Sequence, residues 1–199
     1  MQFLIYVGAN SMFALRSEHA ITQVQSPMHQ KIQQLIKHYK LETLPVEGTL
    51  FASTYVSRQR TETGDPISTA IIGLYANDPE SFSSFHRLRH DELWHFYAGD
   101  PLRLVLLHPD GSSEDVILGP DFTAGQHVQF TVPAHTWQAG HTLETYSLFG
   151  CTMAPGFTGA CFEGGEIRTL LEQFPDRADD IRRLSATHGE TRMPEGYAQ

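Results

Sequence analysis

Between Phe85 and Asp100 the chain places three histidines (His86, His90, His95), three acids (Asp91, Glu92, Asp100), Trp94 and Tyr97 in sixteen consecutive residues. No other stretch is so dense in groups that bind ligands or move protons. His86 and Glu92 lie on either side of a short turn, so a strand before the turn and a strand after it would bring imidazole and carboxylate face to face. A carboxylate that orients an imidazole makes it a base able to take a proton from a carbon beside a carbonyl. The same two residues could instead hold a metal, or the histidine could simply satisfy a buried backbone carbonyl.

The elements that must position these groups are read from period and punctuation. Apolar residues Ile32, Leu35, Ile36 and Tyr39 recur at helical spacing after Ser26-Pro27, a start signal, and predict one amphipathic helix from Met28. After it come eight short stretches rich in Val, Ile, Thr, Tyr and Phe: 50–57, 67–75, 82–89, 93–97, 102–108, 113–118, 127–132 and 143–152. Gly-Asp-Pro, Asn-Asp-Pro, Asp-Gly and Gly-Pro corners separate them, and Gln138-Ala139-Gly140 is read as one more turn. Strands without intervening helices predict a mainly β, antiparallel barrel or jelly roll. A short helix over Glu166 to Phe174 closes it. Residues 1–27 read as an appendage, 28–165 as the barrel domain with its leading helix, and 166–199 as the closing helix and tail.

Strict alternation along 92–97 groups Glu92 with Trp94 and Phe96 on one face and His95 with Tyr97 on the other. Both sets line one pocket only if a bulge intervenes. Trp94, Trp137, Phe51 and Phe130 are candidates for an aromatic lining, with His95, Gln129, Thr131 and Gln138 as polar contacts; filling of the core is the alternative for the aromatics. Arg87 and Arg89 flank His86 and point away from it.

Composition narrows the partners. A net charge of -9 over 199 residues, with scattered arginines, disfavours nucleic acid and anionic lipid. No window supplies the roughly 20 apolar residues of a membrane span, and the apolar opening Phe3 to Val7 lacks the basic flank of a secretion signal. A cytoplasmic location is expected. Cys151 and Cys161 are expected as packed free thiols, since two cysteines are ordinary for a reducing compartment.

Four segments in order resemble the cupins, the double-stranded β-helix proteins: Phe85-His86-Arg87-Leu88, then Asp91-Glu92-x-Trp94-His95-Phe96-Tyr97-x-Gly99-Asp100-Pro101, then Val132-Pro133-x-x-x-Trp137-Gln138, then Gly150-Cys151-Thr152-x-Ala154-Pro155-Gly156-Phe157. Glu47-Gly48-x-x-Phe51 resembles the opening strand of a small, poorly characterised cupin family similar in shape to sugar-nucleotide epimerases. The resemblance runs from about Leu35 to Phe162. It implies a cupin barrel that binds a small polar, sugar-like molecule, a homodimer, and an isomerase or epimerase in which His86 is the base, Glu92 its orienting partner, and Tyr97, Tyr75 or Tyr55 returns a proton. A non-catalytic small-ligand-binding module and, after it, a metal-dependent cupin enzyme are the alternatives. Cupin metals are held by about three imidazoles and a carboxylate; here Leu88 and Gln138 stand where two histidines would. No cofactor is therefore expected, and a metal, if bound, would have to use His86, Glu92 and Gln138, or recruit His90, His95, His135 or His141.

Overall fold

The computed structural model describes residues 26–185, 190–195 and 197; the expected appendage lies outside the described residues but for its last two positions. Helix α1 (Pro27–Tyr39) starts where Ser26 caps it, its hydroxyl accepting from the His29 N–H at 3.1 Å, with Pro27 in the first turn. It ends at Lys40 in the left-handed region. Its apolar stripe, with Ile32 fully buried, packs on Leu74, Ala76, Tyr146 and Leu148.

Among the described residues twelve strands follow: β1 (Glu42–Thr43), β2 (Leu50–Val56), β3 (Thr69–Asn77), β4 (Glu80–Ser81), β5 (Ser83–Leu88), β6 (Glu92–Gly99), β7 (Leu102–Leu107), β8 (Ser113–Leu118), β9 (Gln129–Val132), β10 (Trp137–Thr142), β11 (Tyr146–Met153) and β12 (Phe162–Gly164). They form two antiparallel sheets. One runs β1-β2-β3-β11-β6-β9 with β4 beside β3, and the other runs β12-β5-β10-β7-β8. Helices α2 (Ile167–Gln173) and α3 (Ala178–Arg183) then cover the outer face of the second sheet. Arg103, on β7, holds α3 there through Asp180 at 2.8 Å while also pairing with Asp115 of β8 at 2.9 Å.

The main difference from the sequence reading is β10. Gln138-Ala139-Gly140, expected as a turn, is the middle of a central strand paired on both sides, Gln138 with His86 and with Leu106. The reason is tertiary. A Cβ at Gly140 would lie 2.7 Å from the Tyr75 hydroxyl and 2.8 Å from Leu104, so the glycine is the space into which Tyr75 fits. Helix α3 and the two-residue strands were also not expected.

Between the sheets the barrel is filled unevenly. Tyr75, Trp94, Leu102, Leu104, Leu106, Val116, Leu118 and Phe149 make one half a solid core. The other half carries the buried polar groups.

Candidate functional site

Four elements aim side chains into that second half. Strand β5 contributes His86, β6 begins at Glu92, β10 contributes Gln138 and β11 contributes Cys151; His86, Glu92 and Gln138 are 3%, 7% and 1% exposed. Burial this complete requires hydrogen-bond partners, and they are present. Trp94 Nε1 donates to Glu92 Oε2 and to Gln138 Oε1, both at 3.1 Å. Gln138 Nε2 in turn donates to Glu92 Oε2 at 2.7 Å and faces His86 Nε2 at 3.2 Å. The indole is a donor only, which fixes the amide with its oxygen toward Trp94 and its nitrogen toward carboxylate and imidazole.

The histidine tautomer follows from the same assignment. His86 Nδ1 lies 2.8 Å from the Ser84 carbonyl oxygen, which can only accept, so Nδ1 carries the proton. Nε2 of the neutral ring is then a lone pair, accepting from Gln138 and turned toward the interior. His86 is thus oriented by the Ser84 carbonyl and a parallel Phe162 ring at 5.3 Å. Glu92 does not hold it directly: the expected carboxylate-to-imidazole contact is replaced by the Gln138 amide, which bridges the two.

The third ionisable group, Glu47, entered the sequence reading only as part of a motif. It is 8% exposed, and its Oε2 stands 3.7 Å from His86 Nε2. Its Oε1 accepts from Thr49 at 2.5 Å and Ser83 at 2.7 Å, and Ser83 is bonded to the Tyr75 hydroxyl at 2.5 Å. A tight turn delivers it. Glu47 N–H donates to the Pro45 carbonyl at 2.7 Å across Val46, whose φ of 67° is a left-handed value that a β-branched residue rarely adopts. Gly48, at φ 94°, completes the reversal. Strain of this kind persists only where the surroundings over-determine it; here it holds a carboxylate inside the barrel. A lone acid in the apolar run Leu44-Pro45-Val46-Glu47-Gly48 was the signal that could have marked it.

Glu47, His86 and Glu92 share one cavity with Cys151, walled by Ile71, Leu88, Met153 and Phe157. Its volume is about 20 Å³, room for a single water-sized group. Burial, reinforced by the charge of Glu47, raises the Glu92 carboxyl above the ordinary carboxylate range. Burial likewise pushes the Cys151 thiol and the Tyr75 phenol well up, so both stay protonated.

The remaining candidates divide by sheet face. Tyr97 is half exposed on the outer face of the first sheet, stacked with His95 at 6.3 Å, and Gly150 leaves the space its hydroxyl occupies. His95 binds Thr152 and Gln129, each at 3.1 Å, on that same face. Tyr97, His95 and Gln129 therefore stand across the sheet from His86, which corrects the expected partnership of Tyr97 with that imidazole. The physical reason is the period of two: Glu92 and Trp94 turn inward and His95 turns out, while the ladder slips near Tyr97, where Phe96 pairs with Phe149 and Ala98 with Leu148. Trp137 lies on the outer face of the second sheet, beneath Arg87 at 4.5 Å, and is likewise no part of the cavity. Tyr55 is exposed. Phe51 packs among Leu44, Leu88, Met153 and Phe157, behind the cavity wall, and Phe130 packs against the solid core. Cys151 and Cys161 are buried free thiols.

The fallback ligand set of His86, Glu92 and Gln138 does not fit a metal ion, because Gln138 presents its amide nitrogen to the other two. Among the described residues no three His, Cys, Asp or Glu side chains are grouped to hold one.

Two facing antiparallel sheets, with buried acid, base and amide in one half, define a jelly-roll barrel. The chain belongs to the cupin superfamily: the model of its DUF985 family matches residues 33–164. An X-ray structure of a protein from Shewanella oneidensis is 32% identical, with TM-score 0.73 over 77% of this chain and 96% of that one. A hypothetical protein from Leishmania major is 27% identical, with TM-score 0.69 over 77% and 97%. No curated protein matches. Among the described residues no helix is long and apolar enough to cross a membrane.

Proposed function

We propose that the barrel binds a small, polar, carbohydrate-like molecule at the His86, Glu47 and Glu92 cavity and isomerises or epimerises it by proton transfer. The observation that carries this reading is the neutral His86, its proton fixed on Nδ1 by the Ser84 carbonyl and its Nε2 lone pair turned inward. In the proposed step substrate displaces the Gln138 N–H from Nε2, freeing it for the substrate oxygen; Nε2 then takes the proton from the carbon beside the substrate carbonyl, and the C–H electron pair moves into an enolate. Glu47 Oε2, 3.7 Å away, neutralises the imidazolium so formed. Glu92, held toward its protonated form by burial, and the Gln138 amide donate to the enolate oxygen. Reprotonation of the same carbon on the opposite face gives the epimer; transfer of the neighbouring hydroxyl proton, to leave an enediol, followed by protonation at the former carbonyl carbon gives the isomer. General-base catalysis of this kind contributes about 10²–10⁴-fold.

The test is solvent exchange. Hydroxy-ketones and hydroxy-aldehydes of three to six carbons are incubated with the protein in deuterated water and followed by proton NMR. Exchange at the carbon beside the carbonyl is expected, falling at least about 100-fold in His86→Asn. No exchange with any candidate, or undiminished exchange in the variant, rejects the base. A binding module without turnover is the second reading, favoured by the single imidazole in the cavity; ligand saturation without exchange would support it.

A further inference from the structure

Strand β5 turns His86 into the barrel and Arg87 out of it, and proton transfer at His86 leaves Arg87 and Arg89 without a task. On the outer face of the second sheet Arg87 lines two hollows of about 400 Å³ each, which share Arg87, Pro109 and His135 and so meet along one groove. Small-molecule sites occupy roughly 300–1,000 Å³. Arg89 and Arg192 join Arg87 in lining the second hollow. Three of the chain's fourteen lysines and arginines therefore stand around one hollow of a protein whose net charge is -9. Among the described residues Glu163 is the one acid beside them.

The arginines are positioned by the fold. Arg87 lies over the Trp137 ring at 4.5 Å, and its Nε donates to Glu163 Oε2 at 2.9 Å. Arg89 follows β5, where its backbone N–H donates to the Cys161 carbonyl at 3.0 Å and its Nη2 to the Ala160 carbonyl. Arg192 is brought beside β12 by the bond from the Gly164 N–H to the Thr191 carbonyl at 2.7 Å. Across the groove, the His135 N–H is tied to the Leu88 carbonyl at 2.8 Å. Each guanidinium carries five N–H donors, so the three together offer more than one carboxylate and one carbonyl can accept. A planar carboxylate is satisfied by a single guanidinium fork. A phosphate group presents three strong acceptor oxygens, which suits donors arriving from three separate parts of the chain.

We propose that this groove binds the phosphate group of a small phosphomonoester through Arg87, Arg89 and Arg192, at a site separate from the barrel cavity. Glu163 occupies Arg87 in the free protein and is the carboxylate with which the ligand competes. The test is a phosphorus-31 NMR titration of the full-length protein at low ionic strength, where such contacts are strongest, with glycerol 3-phosphate and inorganic phosphate as probes. Saturable binding is expected, weakened about tenfold in Arg89→Gln and in Arg192→Gln. Arg182→Gln, on α3 where Arg182 pairs with Asp179, should bind as wild type does. Glu163→Gln should tighten binding a few-fold, a gain that loss of folding cannot mimic. Absence of saturable binding, equal weakening in Arg182→Gln and Arg89→Gln, or weaker binding in Glu163→Gln would overturn the site, and so would competition by acetate as effective as that by phosphate. Solvent exchange at His86 is measured separately, so rejection of the base leaves this site standing, and rejection of this site leaves the base.

Discussion

Glu92 is the residue whose environment makes the clearest demand on pH. Burial raises its carboxyl above the ordinary 4.5, so the folded protein holds that proton more tightly than the unfolded chain does. The stability it contributes is complete below the ordinary value and is lost as pH rises through the raised one. Glu92→Gln keeps an acceptor for the Trp94 indole and cannot ionise. Wild type is therefore expected to lose melting temperature relative to the variant as pH climbs from 4.5 toward 8, by about 2–4 °C for each kcal/mol involved. Parallel melting curves across that range would show that Glu92 ionises without penalty. His86 and Glu92 were legible as a pair because a short turn separates them. Glu47 was not, because its place beside His86 depends on a strained turn at Val46 and on hydroxyls from β2's approach and β5, at positions far apart in the chain.

At the level of elements, the alternation of apolar and polar residues gave most strands within a few residues and gave the two faces of β6 correctly as sets. What it could not give is which set faces in, because that depends on the sheet on the other side. Strand β10 shows the converse failure. Local residue types spell a turn, yet Tyr75 and Leu104 fill the space above Gly140 and make a glycine the best residue there. Gly140→Ala is accordingly expected to destabilise the protein by about 1–3 kcal/mol, measured by urea denaturation. It should also displace the Tyr75 hydroxyl that is bonded to Ser83. An alanine variant as stable as wild type would mean that β10 has room to shift away from Tyr75.

For the molecule as a whole, division of the barrel into a solid half and a polar half is the organising feature. Aromatic and aliphatic packing around Trp94 and Phe149 makes one half rigid, and that rigidity fixes the Trp94 indole, the Gln138 amide, and through them the state of His86. The proposed chemistry depends on a neutral His86 with its proton on Nδ1 and a lone pair on Nε2 that faces the Gln138 amide at 3.2 Å and Glu47 Oε2 at 3.7 Å. Nitrogen-15 NMR of histidine-labelled protein, with His86 assigned by comparison with His86→Asn, measures this directly. The account predicts a protonated, pyrrole-like Nδ1 and an unprotonated, pyridine-like Nε2 at neutral pH; the opposite tautomer, with the proton on Nε2, would contradict it.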